Sequence, residues 1–202
     1  LGLPRDPLEA ARIVMEGRRF HCDVGTFNGR YFSYVAAFGA FTEVVYRTSQ
    51  QAKSTLGRMA YILEAIKSIP DIRDFHITGE YDGRPIEGDY ILGMVTNATS
   101  IGGFRTSSSL EVALDDGMLE VHLVRRPHDA AQWQTVINTL LSQQLDLNFV
   151  DTFKTGCMTL QSEKPLPWTL DGEYGGTVAK AQIGIRKQAL AILVPPRQAD
   201  PE

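Results

Sequence analysis

The arrangement of β-rich runs along the chain is the feature that most limits its fold. These runs come in blocks, whereas strands that alternate one by one with helices are typical of a parallel sheet. The predicted order is a helix, a hairpin, a helix, a block of strands, a helix and a final block of strands. We therefore predict an α+β, β-rich fold, a largely antiparallel β-sandwich with a few flanking helices.

The clearest local signal is an Asn28-Gly29 pair near the beginning of the chain. It separates two β-rich runs, 20–27 and 30–38, and Asn-Gly is the dipeptide most typical of two-residue hairpins. A hairpin is therefore predicted here.

A short helix is predicted before the hairpin, from Asp6 to Gly17. Asp6 can cap its first turn, and glycine commonly ends helices. Three apolar residues recur at helical spacing and would form its buried stripe: Leu8, Ala11 and Met15. A short amphipathic helix of this kind needs a surface to pack against.

The remaining elements follow from hydrophobic periodicity. A helical turn is predicted at 42–48, and longer helices are predicted at 54–69 and from Asp129 to about 144. Strands are predicted at 75–81, 84–87, 90–98, 118–125, 153–161, 168–174, 178–187 and 189–194.

Composition limits the classes of partner. The net charge of -4 argues against a nucleic-acid binder, which would present a basic surface. No run approaches the 18 or so apolar residues of a membrane span, and the first residues lack the pattern of a signal peptide. We therefore expect a cytoplasmic protein.

Two carboxylates flank a glycine in the run 165–176. If this run is extended, Asp171 and Glu173 point to the same face and lie about 7 Å apart along the strand. Two ionised acids on one face repel each other unless a cation or a polar substrate lies between them. The alternative is a solvent-facing strand with ordinary acids.

A second acidic feature is the predicted turn Asp115-Asp116-Gly117. Adjacent carboxylates and turn carbonyls supply the oxygen ligands that Mg²⁺ and Ca²⁺ prefer, although an ordinary Asp-Gly turn has the same sequence. Gly102-Gly103 after a buried strand can cradle a phosphate, or can be a plain loop.

Several segments together, in their order and spacing, resemble a known family. They are Asp6-Pro7-Leu8-Glu9-Ala10, Asp23-Val24-Gly25, Asn28-Gly29-Arg30-Tyr31-Phe32, Leu56-Gly57-Arg58-Met59-Ala60-Tyr61, Asn97, Gly102-Gly103, Leu114-Asp115-Asp116-Gly117 and Leu170-Asp171-Gly172-Glu173. The chain resembles the second, β-sandwich domain of the diacylglycerol kinase and sphingosine kinase type of lipid kinase, in its bacterial soluble branch.

This resemblance implies transfer of a phosphoryl group from ATP to the hydroxyl of a diacylglycerol-like lipid. It implies that Glu173 is the general base and that Asp171 helps to place Mg²⁺ or the hydroxyl. It also implies a structural Mg²⁺ held by the Asp116 carboxylate and the main-chain carbonyls of Ala113 and Met118.

The family binds ATP mainly through an N-terminal α/β domain with a Gly-Gly-Asp-Gly-Thr loop, which this chain does not contain. The resemblance thus implies a fragment of a two-domain kinase that is inactive alone. Residues 1–19 would form a helix and linker that pack on the absent domain, 20–195 the β-sandwich domain and 196–202 a tail.

The exposed helix could then bind a second copy, so a homo-oligomer is expected. Contact with the membrane that holds the lipid would be peripheral. Three aromatic residues are candidates for that contact unless they belong to the core: Phe38, Phe41 and Phe104.

Two other functions remain open. One is a non-catalytic module that binds a lipid or a partner protein. The other is a glycoside hydrolase, since carboxylates about 7 Å apart fall within the inverting range of roughly 6.5 to 9.5 Å. Two acids on one strand could hardly flank a bond from opposite sides, which argues against the hydrolase.

Overall fold

The computed structural model describes residues 3–4, 6–40, 72–98, 100–101, 104–105, 112–142 and 149–196. Within these ranges the helices are α1 (Pro7–Glu16) and α2 (Ala130–Ser142), and the strands are β1 (Arg18–Phe27), β2 (Arg30–Phe32), β3 (Val35–Gly39), β4 (Phe75–Tyr81), β5 (Arg84–Thr96), β6 (Ser100–Ile101), β7 (Phe104–Arg105), β8 (Leu119–Arg125), β9 (Val150–Thr155), β10 (Cys157–Leu170) and β11 (Glu173–Val194). The helical predictions at 42–48 and 54–69, and the Gly102-Gly103 loop, lie outside the described residues.

The strand pairings are antiparallel throughout the described ranges. The main sheet has the order β2-β1-β11-β10-β3-β5-β8-β9, while β4 pairs with both β10 and β5. The long strands β5 and β10 are therefore bridged by β3 at one end and by β4 at the other. This arrangement confirms the predicted β-rich, largely antiparallel fold.

An aromatic cluster forms the centre of the core. The Trp168 ring lies 4.9 Å from that of Phe27 and 4.8 Å from that of Phe38, measured between centroids. All three side chains are buried, and burial of each such side chain stabilises the fold by about 2 to 3 kcal/mol. Phe38 therefore belongs to the core and not to an exposed rim. The side chains of Phe41 and Phe104 lie outside the described part of the chain.

Helix α1 begins and ends as predicted. The Asp6 carboxylate accepts hydrogen bonds from the backbone N–H groups of Leu8 and Glu9, at 3.0 and 2.9 Å. At the other end, Gly17 lies so close to the backbone that an added Cβ would come within 2.7 Å of the Val194 carbonyl oxygen. Glycine at this position lets the helix end against β11.

The prediction of a buried stripe on α1 is wrong. Leu8 is 67% exposed and Met15 is 85% exposed, and Ala11 is exposed as well. Among the residues of the helix only Ile13 is half-buried, and its carbonyl accepts the Gly17 N–H that ends the helix. The segment is helical as predicted, but the described residues provide no surface that covers the apolar stripe.

Helix α2 is also capped as predicted, because the Asp129 carboxylate accepts the Gln132 N–H at 2.8 Å. Val136 on this helix is buried. In the described ranges, neither helix is long and apolar enough to cross a membrane.

Several strand predictions need correction. The predicted run 30–38 is divided into β2 and β3. The runs 84–87 and 90–98 form the single strand β5, and 178–187 and 189–194 belong to the single strand β11. The position between 187 and 189 is a bulge in β11, since Gln188 has a φ of 52° and the pairing of β11 with β1 shifts there.

The predicted strand 153–161 is in fact divided at Gly156 into β9 and β10. Thr155 forms the corner, because its hydroxyl donates to the Cys157 carbonyl at 2.6 Å and accepts the Cys157 N–H at 3.2 Å. A side-chain hydroxyl can replace a ladder hydrogen bond in this way, which β-propensity alone does not reveal.

Candidate functional site

The Asp-Gly-Glu segment is a hairpin and not one extended strand. Strand β10 ends at Leu170, β11 begins at Glu173, and these two residues are paired across the turn. Asp171 and Gly172 have φ values of 52° and 87°, the left-handed conformation of a two-residue type I′ turn. The predicted strand 168–174 is therefore wrong, and Asp171 and Glu173 do not share one strand face. The Asp-Gly dipeptide is itself the turn signal that the strand prediction overlooked.

The Asp171 carboxylate fastens this turn to the link between β2 and β3. Its Oδ2 accepts the Ser33 N–H at 2.7 Å and the Ser33 hydroxyl at 3.0 Å. Its Oδ1 accepts the N–H groups of Tyr34 and Val35 at 2.8 and 2.9 Å. The Asp171 N–H donates to the Val35 carbonyl at 2.8 Å. We call this set of hydrogen bonds the Asp171 clamp.

The clamp gives Asp171 a positional role. Both of its oxygens already accept hydrogen bonds, and hydrogen bonds to a charged acceptor are among the stronger ones in proteins. The predicted role of Asp171 in placing Mg²⁺ or a substrate hydroxyl stays a prediction, and either partner would have to share these oxygens with the clamp.

The Glu173 carboxylate, unlike that of Asp171, is accessible to a substrate. Its side chain is exposed at the first position of β11. Among the residues that the structure describes, none forms a hydrogen bond or an ion pair with its carboxylate. A general base must be able to reach the proton that it accepts, and Glu173 meets that condition. Its catalytic role remains a prediction.

The backbone just after Glu173 is held by Arg30. The Arg30 guanidinium donates to the carbonyls of Gly175 and Tyr174, at 2.7 and 3.3 Å. The pairing of β10 with β11 shifts here, which marks a bulge. An added Cβ on Gly175 would lie 2.9 Å from Cγ of Leu170, so the bulge requires glycine. Arg30 and the Asp171 clamp therefore fix the backbone on both sides of Glu173.

A chain of hydrogen bonds continues from the clamp into the sheet. The Tyr34 carbonyl accepts the Thr96 hydroxyl at 2.7 Å and the Asn97 N–H at 3.2 Å. The Asn97 side-chain amide donates to the Asp23 carbonyl at 2.9 Å. Asn97 and Asp23 are both buried, so these contacts are protected from water.

Asp23 extends this polar network to the second acidic turn. Its Oδ2 accepts the Gly117 N–H and its Oδ1 accepts the Gln188 N–H, both at 2.6 Å. Segments that are far apart in sequence are thus joined: Asp23, Asn97, the turn at Gly117 and the clamp at Asp171. Sequence reasoning did not identify the role of Asp23, because its partners lie 94 and 165 residues away.

The Asp116-Gly117 turn forms as predicted, with a φ of 81° at Gly117. The Asp116 Oδ1 accepts the Met118 N–H at 2.9 Å, and its Oδ2 accepts a hydrogen bond from the Lys154 ammonium at 2.6 Å. The predicted Mg²⁺ would be held by this carboxylate with the carbonyls of Ala113 and Met118. An ammonium in direct contact with the only carboxylate of that ligand set does not fit a divalent cation.

Lys154 also approaches a buried acid. Its ammonium lies 3.4 Å from Oε1 of Glu120, a side chain with no exposed surface. Burial raises the pKa of Glu120 to about 7, although the nearby Lys154 charge opposes the rise. Burial lowers the pKa of Lys154, but the hydrogen bonds and charges of Asp116 and Glu120 together outweigh it and raise that pKa overall. The described residues contain no group of three or more His, Cys, Asp or Glu side chains that could hold a metal.

His122 lies two residues further along the same face of β8. It is fully buried, its Nδ1 lies 3.3 Å from the Thr152 hydroxyl, and its Nε2 has no hydrogen-bond partner among the residues that the structure describes. Burial alone lowers the pKa of His122 to about 4, so the imidazole is neutral at pH 7. The sequence showed His122 in a strand but no sign of this environment.

Comparison with known proteins agrees with this architecture. Residues 36–194 match the family described as the YegS C-terminal NAD kinase beta sandwich-like domain. A diacylglycerol kinase from Bacillus subtilis (strain 168) is 28% identical over 201 residues, which cover 99% of this chain and 66% of that protein. A diacylglycerol kinase from Staphylococcus carnosus (strain TM300) is 29% identical over 195 residues, which cover 96% and 63%. The chain therefore spans slightly less than two thirds of these curated relatives.

Solved structures show the same fold. One crystal structure from Bacillus anthracis str. Sterne has a TM-score of 0.77 at 23% identity and covers 97% of this chain and 63% of that chain. Another, of a diacylglycerol kinase from the same organism, has a TM-score of 0.67 at 20% identity, with 97% and 61% covered. Since the family match extends over most of the residues, the chain belongs to the YegS C-terminal NAD kinase beta sandwich-like domain family.

Proposed function

We propose that the chain is the lipid-side domain of a kinase that transfers the γ-phosphate of ATP to the hydroxyl of a diacylglycerol-like lipid. The observation that carries the proposal is the Asp-Gly-Glu hairpin, where the Asp171 clamp fixes the turn while the Glu173 carboxylate stays exposed. Family membership and the names of the curated relatives support the reaction class.

In this proposal Glu173 is the general base. Its carboxylate accepts the proton of the lipid hydroxyl while the hydroxyl oxygen forms a bond to the γ-phosphorus. The bond between that phosphorus and the bridging oxygen breaks, and ADP leaves with the electron pair. Mg²⁺ bound with ATP would neutralise charge on the phosphate oxygens. Such a reaction depends mainly on alignment and charge, so a well-fixed base is the contribution expected from this domain.

Asp171 and Arg30 act as positioning residues in this scheme. They hold the backbone on either side of Glu173 through hydrogen bonds to main-chain groups. Misplacement of a reacting group by about 1 Å can cost about a hundredfold in rate. Loss of either residue should therefore lower kcat even though neither need touch the substrate.

ATP would be bound mainly by a part of the kinase that has no counterpart in this chain, which spans 66% and 63% of its curated relatives. The chain alone should then be inactive. To meet its lipid, the whole kinase would act in the cytoplasm with peripheral contact to the membrane surface.

The test is ATP-dependent phosphorylation of a panel of lipids by a protein that joins this chain to a nucleotide-binding domain. The panel should include diacylglycerol, monoacylglycerol, a sphingosine-like base and phosphatidylglycerol. Glu173→Gln should lower kcat by at least about a hundredfold, the scale of losing a general base. Glu163→Gln, an exposed glutamate on β10, is the matched control and should keep full activity.

Absence of phosphorylation on every lipid, in a protein that binds ATP, would overturn the proposal and leave a lipid- or protein-binding module. Glycoside hydrolysis is not supported by the hairpin, because one of the two required carboxylates, Asp171, is already engaged in the clamp.

We also propose that the isolated chain self-associates through α1. Leu8, Val14 and Met15 are 67%, 67% and 85% exposed on this helix, and an apolar helix face in water favours association. Light scattering should detect a species larger than one chain at high concentration, and Leu8→Glu should return it to a monomer. If the chain stays monomeric at all concentrations, the proposed self-association through α1 is contradicted.

A further inference from the structure

We propose that Lys154 takes the place of a divalent cation beside the Asp116-Gly117 turn, so that an internal ammonium holds the turn and Mg²⁺ does not bind there. Lys154 would have this role whether or not the chain belongs to a kinase. It would hold the start of β8, next to the polar network that reaches Asp23 and Gly117.

The position of Lys154 is that of a bridging cation. It lies on β9 directly opposite Glu120 on β8, so the two side chains project from the same face of the sheet. The ammonium lies 2.6 Å from Oδ2 of Asp116 and 3.4 Å from Oε1 of Glu120. One positive group thus connects the turn that precedes β8 with the strand itself, which is the structural task of a bound metal ion.

The same contacts exclude a divalent cation from Asp116. Mg²⁺ binds oxygen ligands at about 2.1 Å, and on the oxygen that holds Lys154 it would meet the ammonium at close range. The other oxygen accepts the Met118 N–H. Lys154 is mostly buried, with 21% of its side chain exposed, so it has little freedom to move its charge into water.

Removal of Lys154 should create the metal site. Asp116 and the fully buried Glu120 would then face each other without their shared cation. Two carboxylates that share a site without a positive charge repel each other, and a hard cation with oxygen ligands relieves that repulsion. The variant should therefore gain an affinity for Mg²⁺ that the wild-type chain lacks.

Thermal unfolding of the full chain, in EDTA and in about 10 mM MgCl₂, tests the proposal. In Lys154→Met, Mg²⁺ should raise Tm by roughly 4 °C, which corresponds to binding of an ion at several times its Kd. The wild-type chain should shift by less than about 1 °C. Lys180→Met, which removes an exposed lysine on β11, should behave like the wild type.

A further substitution assigns the gain to this turn. Asp116→Asn in the Lys154→Met background should abolish the Mg²⁺-dependent rise in Tm. A folded Lys154→Met chain that gains nothing from Mg²⁺ would overturn the proposal. So would a wild-type chain that gains as much as the variant and loses the gain in Asp116→Asn.

The test is decided even if Lys154→Met fails to fold, because the wild-type chain is measured beside it. If the variant folds in Mg²⁺ but not in EDTA, that result supports the proposal. If the variant folds in neither, the wild-type Tm decides. A wild-type Tm that does not change with Mg²⁺ supports the proposal. A rise in the wild-type Tm with Mg²⁺ that is lost in Asp116→Asn overturns it.

Discussion

The turns at Asp171-Gly172 and Asp116-Gly117 have similar sequences, but their carboxylates have different hydrogen-bond partners. At Asp171-Gly172 the carboxylate accepts three backbone N–H groups and one hydroxyl. At Asp116-Gly117 the carboxylate accepts one backbone N–H and pairs with the Lys154 ammonium. The first turn is held mainly by the main chain between two neighbouring strands. The second is held by two distant side chains, since Lys154 pairs with Asp116 and Asp23 accepts the Gly117 N–H.

The comparison shows that an Asp-Gly turn does not define a site by itself. The groups that bind the Asp171 carboxylate in the clamp are neutral, and the Glu173 side chain after this turn is exposed. The turn at Asp116 depends on Lys154, and the strand that follows it carries Glu120 and His122 buried in the sheet. Charge therefore matters to folding at the second turn and, in our proposal, to reaction at the first.

The largest expected effect is on the pH dependence of the free energy of unfolding, and it comes from His122 on the strand after the second turn. The unfolded chain protonates His122 near pH 6.5, whereas burial keeps it neutral in the fold down to a pKa of about 4. The unfolded state thus binds more protons, and stability falls as pH falls from 6.5 to 4, by about 3 kcal/mol from this group. Denaturant unfolding at both pH values should show a smaller loss for His122→Gln. An equal loss would contradict the assignment.

The next effect is the strength of the clamp. Asp171→Ala should lower the free energy of unfolding by about 2 kcal/mol more than Asp82→Ala does, because backbone donors lose a charged acceptor. Asp82 is a matched control, since it has a φ of 46° in another Asp-Gly turn, and no described residue hydrogen-bonds to its carboxylate. The strain of alanine at positive φ therefore cancels in the comparison. Equal losses in urea unfolding would show that the clamp adds no stability.

A smaller effect is expected for the ion pair at the second turn. A double-mutant cycle of Asp116→Asn with Lys154→Met should give a coupling energy of about 1 kcal/mol, at the upper end of the usual range for exposed pairs. The two side chains are only 28% and 21% exposed. The same cycle with Lys180→Met should give no coupling. A null result for the first cycle would mean that the 2.6 Å contact contributes nothing measurable.

The smallest effect concerns Glu173. Because its side chain is exposed, Glu173→Gln should change the free energy of unfolding by less than about 0.5 kcal/mol. Guanidinium unfolding of the isolated chain measures this directly. A larger loss would mean that Glu173 has a structural role, and a fall in activity could then not be assigned to the loss of a base.

Much of the fold followed from local chemistry. The capped helix α1, the Asn28-Gly29 hairpin and helix α2 are set by short-range signals, and the structure confirms each of them. The errors came where local chemistry is ambiguous. Asp171-Gly172 can be read as part of a strand or as a turn, and only the pairing of Leu170 with Glu173 decides between them.

The sequence by itself determined the β-rich antiparallel class and the turn at Asp116-Gly117, because periodicity and turn residues are local properties. The prediction of Glu173 as the base came from the resemblance to a known family. Tertiary structure alone decided which carboxylates are available. Ser33 lies 138 residues from Asp171, and Lys154 lies 38 residues from Asp116. Hydrogen bonds and ion pairs across such separations depend on strand order and register, which no local pattern encodes.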